Sequence, residues 1–420
     1  MKFGIYTLDD FNFAGKVVLL RVDINEPVDH ATDSLKDITR IRACIPTIRE
    51  LVGNGAKLVV MGHQGSDIEY QNYYTTRPHA AEISDLLGKE IQWIDDVTGP
   101  AARERISALK PGEILLLDNV RFVAEEQTLF EEKLRLTHEQ QTKTQLVTKL
   151  APLADLYVCD AFAAAHRDQP SLCGFEEVLP SAMGRLFEKE YCVVSQAMQA
   201  PQHPCLFVLG GAKVADAFAM MHTVLSQGAA DFVLTGGIVA QIMLAAKGIS
   251  IGTASMEYIE KHNLQALLPS AQKLLGQYKE KIIIPMDLAY LADGKRCETP
   301  VDKIPDEFEM MDIGRHTIHS YSKLITAAET IFVNGPMGVF ENPELESGTK
   351  EIWSAIANSK AYSIVGGGDS VTAANRFDIA QKMSYICTGG GALIRFLSGE
   401  ELPVVTALRH AAQKFGNQML

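Results

Sequence analysis

At 420 residues, with 47% hydrophobic and 22% charged residues, the chain has the balance of a globular protein. That excludes disorder as its main theme and allows two or three domains of roughly 150 residues each. A formal net charge of −13 excludes a surface whose general field attracts nucleic acid or acidic membrane, so an anionic ligand needs a local basic cluster.

The N-terminal stretch MKFGIYTLDDFNFAGK is acidic at Asp9 and Asp10 and has no long apolar core, so it does not read as a signal peptide. No apolar run reaches the ~18 residues expected of a membrane-spanning helix. Seven scattered cysteines, with no Cys-x-x-Cys pair, fit reduced thiols better than a disulfide frame or a zinc site. The expectation is a cytoplasmic chain.

Short apolar runs follow one another along the chain: Val17–Val22, Leu58–Met61, Ile114–Leu117, Leu156–Val158, Leu206–Leu209, Phe232–Leu234, Ile282–Ile284, Ile331–Val333, Ser363–Val365 and Tyr385–Ile386. They are too continuous to alternate, which predicts strands buried on both faces. Between them, apolar residues three and four apart predict helices, with Ile41, Ile45, Ile48 and Leu51 on one side of the first and a second over Leu264–Leu275. Repeated strand and helix implies parallel sheets covered by helices, and so many strands exceed one ordinary sheet of about four to six. The fold expected is α/β, with two doubly wound, Rossmann-like parallel-sheet domains. The alternation pauses over 180–196, a helix-like stretch near the midpoint, which predicts a helical hinge there.

Ligands of such sheets bind beyond the carboxyl ends of the strands. In the second half these ends carry glycine: Gly210-Gly211, Gly236-Gly237, Gly335-Pro-Met-Gly338, Gly366-Gly-Gly-Asp369 and Gly389-Gly-Gly391. Glycine lets backbone N–H groups approach a phosphate at a helix start. The plainer alternative is that each pair makes only a tight turn. In the first half the ends carry Arg21-Val-Asp23-Ile-Asn25, Gly62-His63-Gln64-Gly65, Asp118-Asn119-Val-Arg121 and Asp160 through His166-Arg167. Arg40, Arg121 and Arg167, with His63 and His166, can converge on a small polyanion, although a single arginine is more often a solvated surface residue.

In this order, RVDINEP, DITRIRACIPTI, GAKLVVMGHQG, DNVRF, DAFAAAHR, LGGAKVAD, LTGG, NGPMGVFE, GGGDS, TGGGA and ELPVV resemble the phosphoglycerate kinase family over nearly the whole chain. The resemblance implies a two-lobed, hinge-bending enzyme that reversibly moves a phosphoryl group from 1,3-bisphosphoglycerate to ADP, giving 3-phosphoglycerate and ATP in glycolysis and gluconeogenesis. It implies Mg²⁺ on the nucleotide and free small-molecule partners, with no nucleic acid and no membrane. A monomer is the usual form, and the sequence leaves a dimer open. Residues 1–180, completed by 400–420, would be the substrate domain. Residues 181–399, beginning with a linker helix over 181–199, would bind nucleotide.

By the same resemblance, Asp23, Asn25, Arg40, His63, Arg121 and Arg167 would hold the glycerate substrate. Gly211 and Lys213 would meet nucleotide phosphates, and Gly236 and Gly237 the adenine. Asn334 would sit near the phosphates and Glu341 near the ribose. Gly366 and Ser370 complete the expected nucleotide set, with Asp369 holding the magnesium complex. Arg40, Lys213 and the backbone donors of Gly367, Gly368, Gly390 and Gly391 would act on the group in flight. Two departures from many members, Ser66 for an arginine and Ala217 for a second lysine, resemble the archaeal branch and place more weight on Lys213 and Arg40.

The acceptor carboxylate is ionised near neutrality, so no general base is required and none is apparent. In-line placement and compensation of charge on the equatorial oxygens carry such a reaction. Rival readings have less behind them. A dinucleotide dehydrogenase lacks its Gly-x-Gly-x-x-Gly after the first strand, and no Gly-x-x-x-x-Gly-Lys-Ser/Thr occurs for a Walker-type NTPase. A non-catalytic nucleotide binder would not need the arginine set, and a kinase of a related small acid differs only in a pocket that sequence does not reveal.

Overall fold

The computed structural model describes residues 1–29, 31–65, 74–127 and 133–416, so Ser66 lies outside the described residues. The chain divides into two compact units, Met1–Val193 with Glu401–Leu420, and Val194–Glu400. Both are α/β units built on a six-stranded parallel sheet, as the strand patterning predicts.

The first unit contains strands β1 (Val17–Arg21), β2 (Val28–Asp29), β3 (Ser34–Leu35), β4 (Lys57–Met61), β5 (Gln92–Ile94), β6 (Ile114–Leu117), β7 (Leu156–Cys159) and β8 (Ser181–Met183). The sheet runs β5-β6-β4-β1-β7-β8, with β2 and β3 paired separately as an antiparallel ribbon. Register places Leu19 beside Val59 on one flank and Tyr157 on the other. Helix Thr39–Gly53 buries Ile41, Cys44, Ile45, Ile48 and Leu51 against Val18, Leu20, Leu58 and Val60. The stripe predicted from sequence is therefore the face that packs. Helix Pro403–Phe415 returns to this unit, where Arg409 donates from Nη2 to the Tyr191 hydroxyl at 2.9 Å and from Nε to the Phe3 carbonyl at 3.2 Å.

The second unit contains β9 (Cys205–Leu209), β10 (Phe232–Thr235), β11 (Ile282–Ile283), β12 (Asp287–Ala292), β13 (Lys295–Pro300), β14 (Asp312–Ile313), β15 (Thr330–Asn334), β16 (Tyr362–Gly366) and β17 (Tyr385–Ile386). Its main sheet runs β11-β10-β9-β15-β16-β17. From β9 the chain steps outward to β10 and β11, then crosses to β15 on the other flank of β9 and steps the opposite way. The crevice beyond the carboxyl ends of β9 and β15 is thus the switch point at which such sheets take ligands. The Phe207 and Phe332 rings stack across these two strands with centroids 4.6 Å apart.

Three local expectations need correction. The stretch 180–196 is not wholly helical: Ser181–Met183 pairs with Tyr157–Cys159 as β8 before helix Arg185–Gln199 begins. Three residues are too few to show a period, and main-chain pairing makes the strand. The helix expected over Leu264–Leu275 is a 3-10 turn, Leu264–Leu267, followed by helix Leu268–Tyr278 with proline in its first turn. Pro269 has no N–H to continue a ladder, so the helix restarts there. The antiparallel sheet β13-β12-β14 was not foreseen. Asp293 and Gly294, with φ of 49° and 72°, turn β12 into β13, and that Asp-Gly pair was the available signal. Among the described residues, no helix is long and apolar enough to cross a membrane.

Candidate functional site

In the first unit, the carboxyl ends of β1, β4, β6 and β7 carry a set of charged groups that is mostly buried. Arg21 ends β1 with no exposed surface. Its Nε donates to Ser171 Oγ at 3.0 Å, Nη1 to the Val22 carbonyl, and Nη2 lies 3.0 Å from His63 Nδ1. A guanidinium can only donate, so Nδ1 accepts and the ring carries its proton on Nε2. Burial holds His63 well below the usual histidine range, and the cations of Arg21, Arg121, Arg167 and Arg40 all push the same way. His63 is therefore a neutral hydrogen-bond donor set among four arginines.

The other expected substrate residues take places around it. Arg40, in the first turn of helix Thr39–Gly53, forms an ion pair through Nη1 with the buried Asp23 carboxylate. Asn25 Oδ1 accepts the Gly65 N–H at 2.9 Å, and Arg121 Nη1 donates to the Gly65 carbonyl at 2.5 Å. Gly65 thus ties the loop after β1 to the turn after β6. Arg167 follows the 3-10 turn Phe162–Ala164, with its backbone N–H on the Ala164 carbonyl. Sequence reasoning did not assign Arg21, Glu26, Gln64 or Asn119, all of them buried. Asn119 joins the set by donating from Nδ2 to the Gln64 carbonyl at 2.7 Å and accepting the Arg121 N–H at 3.1 Å. The available signal was position, since Arg21, Gln64 and Asn119 stand at the same strand ends as the residues that were assigned.

In the second unit the glycines divide into two kinds. Gly210, Gly211 and Gly237 donate their N–H groups to the carbonyls of Asn334, Pro336 and Met337 at 2.9, 2.8 and 2.7 Å. A Cβ on Gly210 would stand 2.1 Å from the Pro336 carbonyl oxygen, one on Gly335 2.2 Å from that of Gly210, and one on Gly236 2.5 Å from Met337 Sδ. These residues let the turns after β9, β10 and β15 pack backbone to backbone at the switch point. The tight-turn alternative accounts for their glycine, and the Gly211 and Gly237 N–H groups are used inside the protein.

Gly367, Gly368, Gly390 and Gly391 are of the second kind. Helices Gly368–Arg376 and Gly390–Leu397 begin side by side, close enough that a Cβ on Gly390 would lie 3.4 Å from Gly367 Cα. Nothing lies within 4 Å of a Cβ on Gly368, and Gly368 and Gly391 are exposed. Two helix N-termini side by side offer first-turn N–H groups and positive dipole ends to an anion.

Lys213 is the exposed N-cap of helix Val214–Ser226, and Ala217, one turn on, is 2% exposed. A lysine at 217 would start from a buried position, which is the physical content of that departure. Asn334 ends β15, with Nδ2 donating to the Gly366 carbonyl at 3.3 Å. Ser370 is buried, and its Oγ accepts the Gly335 N–H at 2.8 Å, so its hydroxyl braces a glycine turn. Gly366 ends β16 with a Cβ position 2.0 Å from Leu393 Cδ2. Glu341 and Asp369 are exposed, Asp369 in the first turn of helix Gly368–Arg376.

Among the described residues, the His, Cys, Asp and Glu side chains close enough to share an ion are His138, Asp168 and Cys173, in the first unit. Hydrogen bonds already engage that group, with Asp168 Oδ1 accepting from Gln141 Nε2 at 2.6 Å and lying 3.3 Å from His138 Nε2. A magnesium ion at Asp369 would complete its oxygen shell from phosphate and water, as magnesium bound with nucleotides does.

Comparison with known proteins converges. A model of the family described as phosphoglycerate kinase matches residues 8–400. The phosphoglycerate kinase of Methanothermobacter thermautotrophicus is 44% identical over 411 residues, covering 98% of each chain. That of Thermococcus kodakarensis is 42% identical, covering 99% of this chain and 100% of its own. The crystal structure of phosphoglycerate kinase from Pyrococcus horikoshii OT3 aligns with a TM-score of 0.87 at 40% identity, over 98% of this chain and 100% of that one. The chain belongs to the phosphoglycerate kinase family.

Proposed function

We propose that the chain catalyses reversible phosphoryl transfer between 1,3-bisphosphoglycerate and ADP. The first unit holds the three-carbon acid and the second the nucleotide. The observation that carries this is the arginine set about His63. In a protein of net charge −13, guanidinium groups are gathered, buried or half-buried, around a neutral imidazole, a concentration of positive charge suited to a small polyanion. Asp23 and Asn25 order that set, and Arg40, Arg121 and Arg167 face the carboxyl and phosphate groups. Glycolysis and gluconeogenesis are the setting that the family implies.

The second unit supplies donors rather than a fixed cage. Lys213 neutralises phosphate oxygens, and the helix starts at Gly368 and Gly390 bring backbone N–H groups to the moving phosphoryl. Glu341 and Asn334 orient the nucleotide. Asp369 would hold magnesium, which neutralises charge on the nucleotide phosphates. Transfer requires the ligands to meet in line and water to be kept away from the acyl phosphate, so hinge closure belongs to the proposal. The cytoplasm is the proposed compartment, in keeping with seven free cysteines.

A coupled assay with 3-phosphoglycerate, ATP and Mg²⁺ tests the reading. Turnover that saturates in both substrates supports it. Saturable nucleotide binding without turnover would instead make the chain a binding protein that has kept the fold.

A further inference from the structure

The helix that presents Arg40 opens on Ile38, an N-cap that makes no side-chain hydrogen bond. Its first-turn N–H groups need acceptors from outside the helix. Glu26 supplies one from fourteen residues upstream: Oε1 accepts the Arg40 N–H at 2.6 Å and the Ile41 N–H at 3.1 Å. The side chain is 4% exposed, and burial lifts its carboxyl pKa while the two N–H donors draw it back.

The backbone of Glu26 is clamped in turn. Its N–H donates to Gln64 Oε1 at 3.0 Å, and Gln64 Nε2 donates to its carbonyl at 2.7 Å. Gln64 lies between His63 and Gly65, and Gly65 meets Asn25 and Arg121. One residue therefore connects the loop of Asp23 and Asn25, the start of the Arg40 helix and the His63 loop. Asp23 holds the Arg40 guanidinium, and Glu26 holds the backbone from which it projects.

We propose that Glu26 is a positioning residue for the acid-binding site, fixing the start of the Arg40 helix against the His63–Gly65 loop so that the guanidinium meets the substrate in register. The inference rests on reading Arg40 as a substrate arginine. What it requires of position 26 is an oxygen acceptor of the right reach, and the substrate itself need not be touched. A displaced arginine loses placement, which in-line transfer depends on.

The test is steady-state kinetics, varying 3-phosphoglycerate and ATP separately, on folded Glu26→Ala, Glu26→Asp, Glu26→Gln, Arg40→Ala and the double variant Glu26→Ala/Arg40→Ala. Glu26→Ala is expected to lower kcat/KM for 3-phosphoglycerate by about 10-fold, with KM for ATP within about twofold. Glu26→Asp keeps the charge but is one methylene short, and matches that loss even if the alanine variant folds poorly. Glu26→Gln restores the value to within about threefold, because its amide oxygen accepts the same bonds. In the Arg40→Ala background, losing Glu26 costs less than about twofold more. Wild-type kcat/KM in Glu26→Ala and Glu26→Asp, an equal penalty with and without Arg40, or a glutamine as damaging as alanine would each overturn the proposal. Wild-type turnover in Arg40→Ala would overturn the parent reading of Arg40, and that separates the two failures.

Discussion

At the carboxyl edge of the first unit's sheet the charge is inside: Arg21 and Arg121 are 0% and 1% exposed, and His63 is 6%. At the corresponding edge of the second unit, Lys213, Gly368 and Asp369 are exposed, while Gly210 and Gly236 are buried where glycine turns lock together. A buried guanidinium is costly unless its donors are met, so Ser171, Gly65 and Asp23 take guanidinium donors of Arg21, Arg121 and Arg40, and Asn119 fixes the Arg121 main chain. Such rigidity suits a short acid with an anionic group at each end. The second unit leaves its charge on a flexible lysine and its directional donors on helix ends, an arrangement that can follow phosphate oxygens as they move. On the proposed reading, two sheets of the same class would hold anions in two ways, by fixed side chains and by backbone with a mobile cation.

That contrast can be broken at several points. Lys213→Ala should cut turnover by about 10²- to 10³-fold while the thermal melt is unchanged, since its side chain is exposed and, on the proposed reading, serves the reaction rather than the packing. Near-normal turnover in the folded variant would remove the mobile cation from the account. Gly335→Ala should cost roughly 3 kcal/mol or more in urea unfolding, because φ is +85° and the new Cβ would stand 2.2 Å from the Gly210 carbonyl oxygen. Gly368→Ala, with open space around its Cβ, should leave stability within about 0.5 kcal/mol. Equal melts for the two would show that the glycines of this edge are not of two kinds.

A pH effect belongs to the first unit. His79 has no exposed surface, its Nε2 lies 2.8 Å from Gln64 Oε1, and burial pushes it down to about 4. Unfolded histidine titrates near 6.5, so the unfolded chain takes up a proton that the folded one refuses. The contribution is therefore full above about pH 6.5 and lost as pH falls toward the folded value, up to about 3 kcal/mol. Between neutral and acid pH, urea melts of wild type should lose stability more steeply than those of His79→Gln, so that the two series converge, and parallel curves would contradict this. Ser370→Ala removes the acceptor of the Gly335 N–H and should cost about 1 kcal/mol in the same urea melts, with an unchanged midpoint counting against that bond.

Residues that follow strands were legible, because a parallel sheet brings the carboxyl ends of its strands to one edge. Asp23, Asn25, His63, Arg121, Lys213 and the glycine clusters were expected beyond strand ends in that way, and that is where they stand. Partners chosen by side-chain direction were not. Nothing in the local pattern says that Arg21 turns its guanidinium to His63 Nδ1, or that Glu26 reaches a helix start fourteen residues on. The sequence also does not separate Gly335, which a left-handed φ and a close backbone approach explain, from Gly368, which faces open space. Strand β8 and the restart at Pro269 were missed because pairing and a single absent N–H, rather than periodicity, define them.

The division of labour between the units is tested most directly by hydrogen exchange read peptide by peptide, with 3-phosphoglycerate alone and with ADP and Mg²⁺ alone. The account predicts that the acid slows exchange over 22–26, 62–65 and 118–122 and leaves 210–214, 366–371 and 389–393 unchanged, with the nucleotide doing the reverse. Protection by the acid at the glycine segments, or by the nucleotide at the arginine segments, would contradict it.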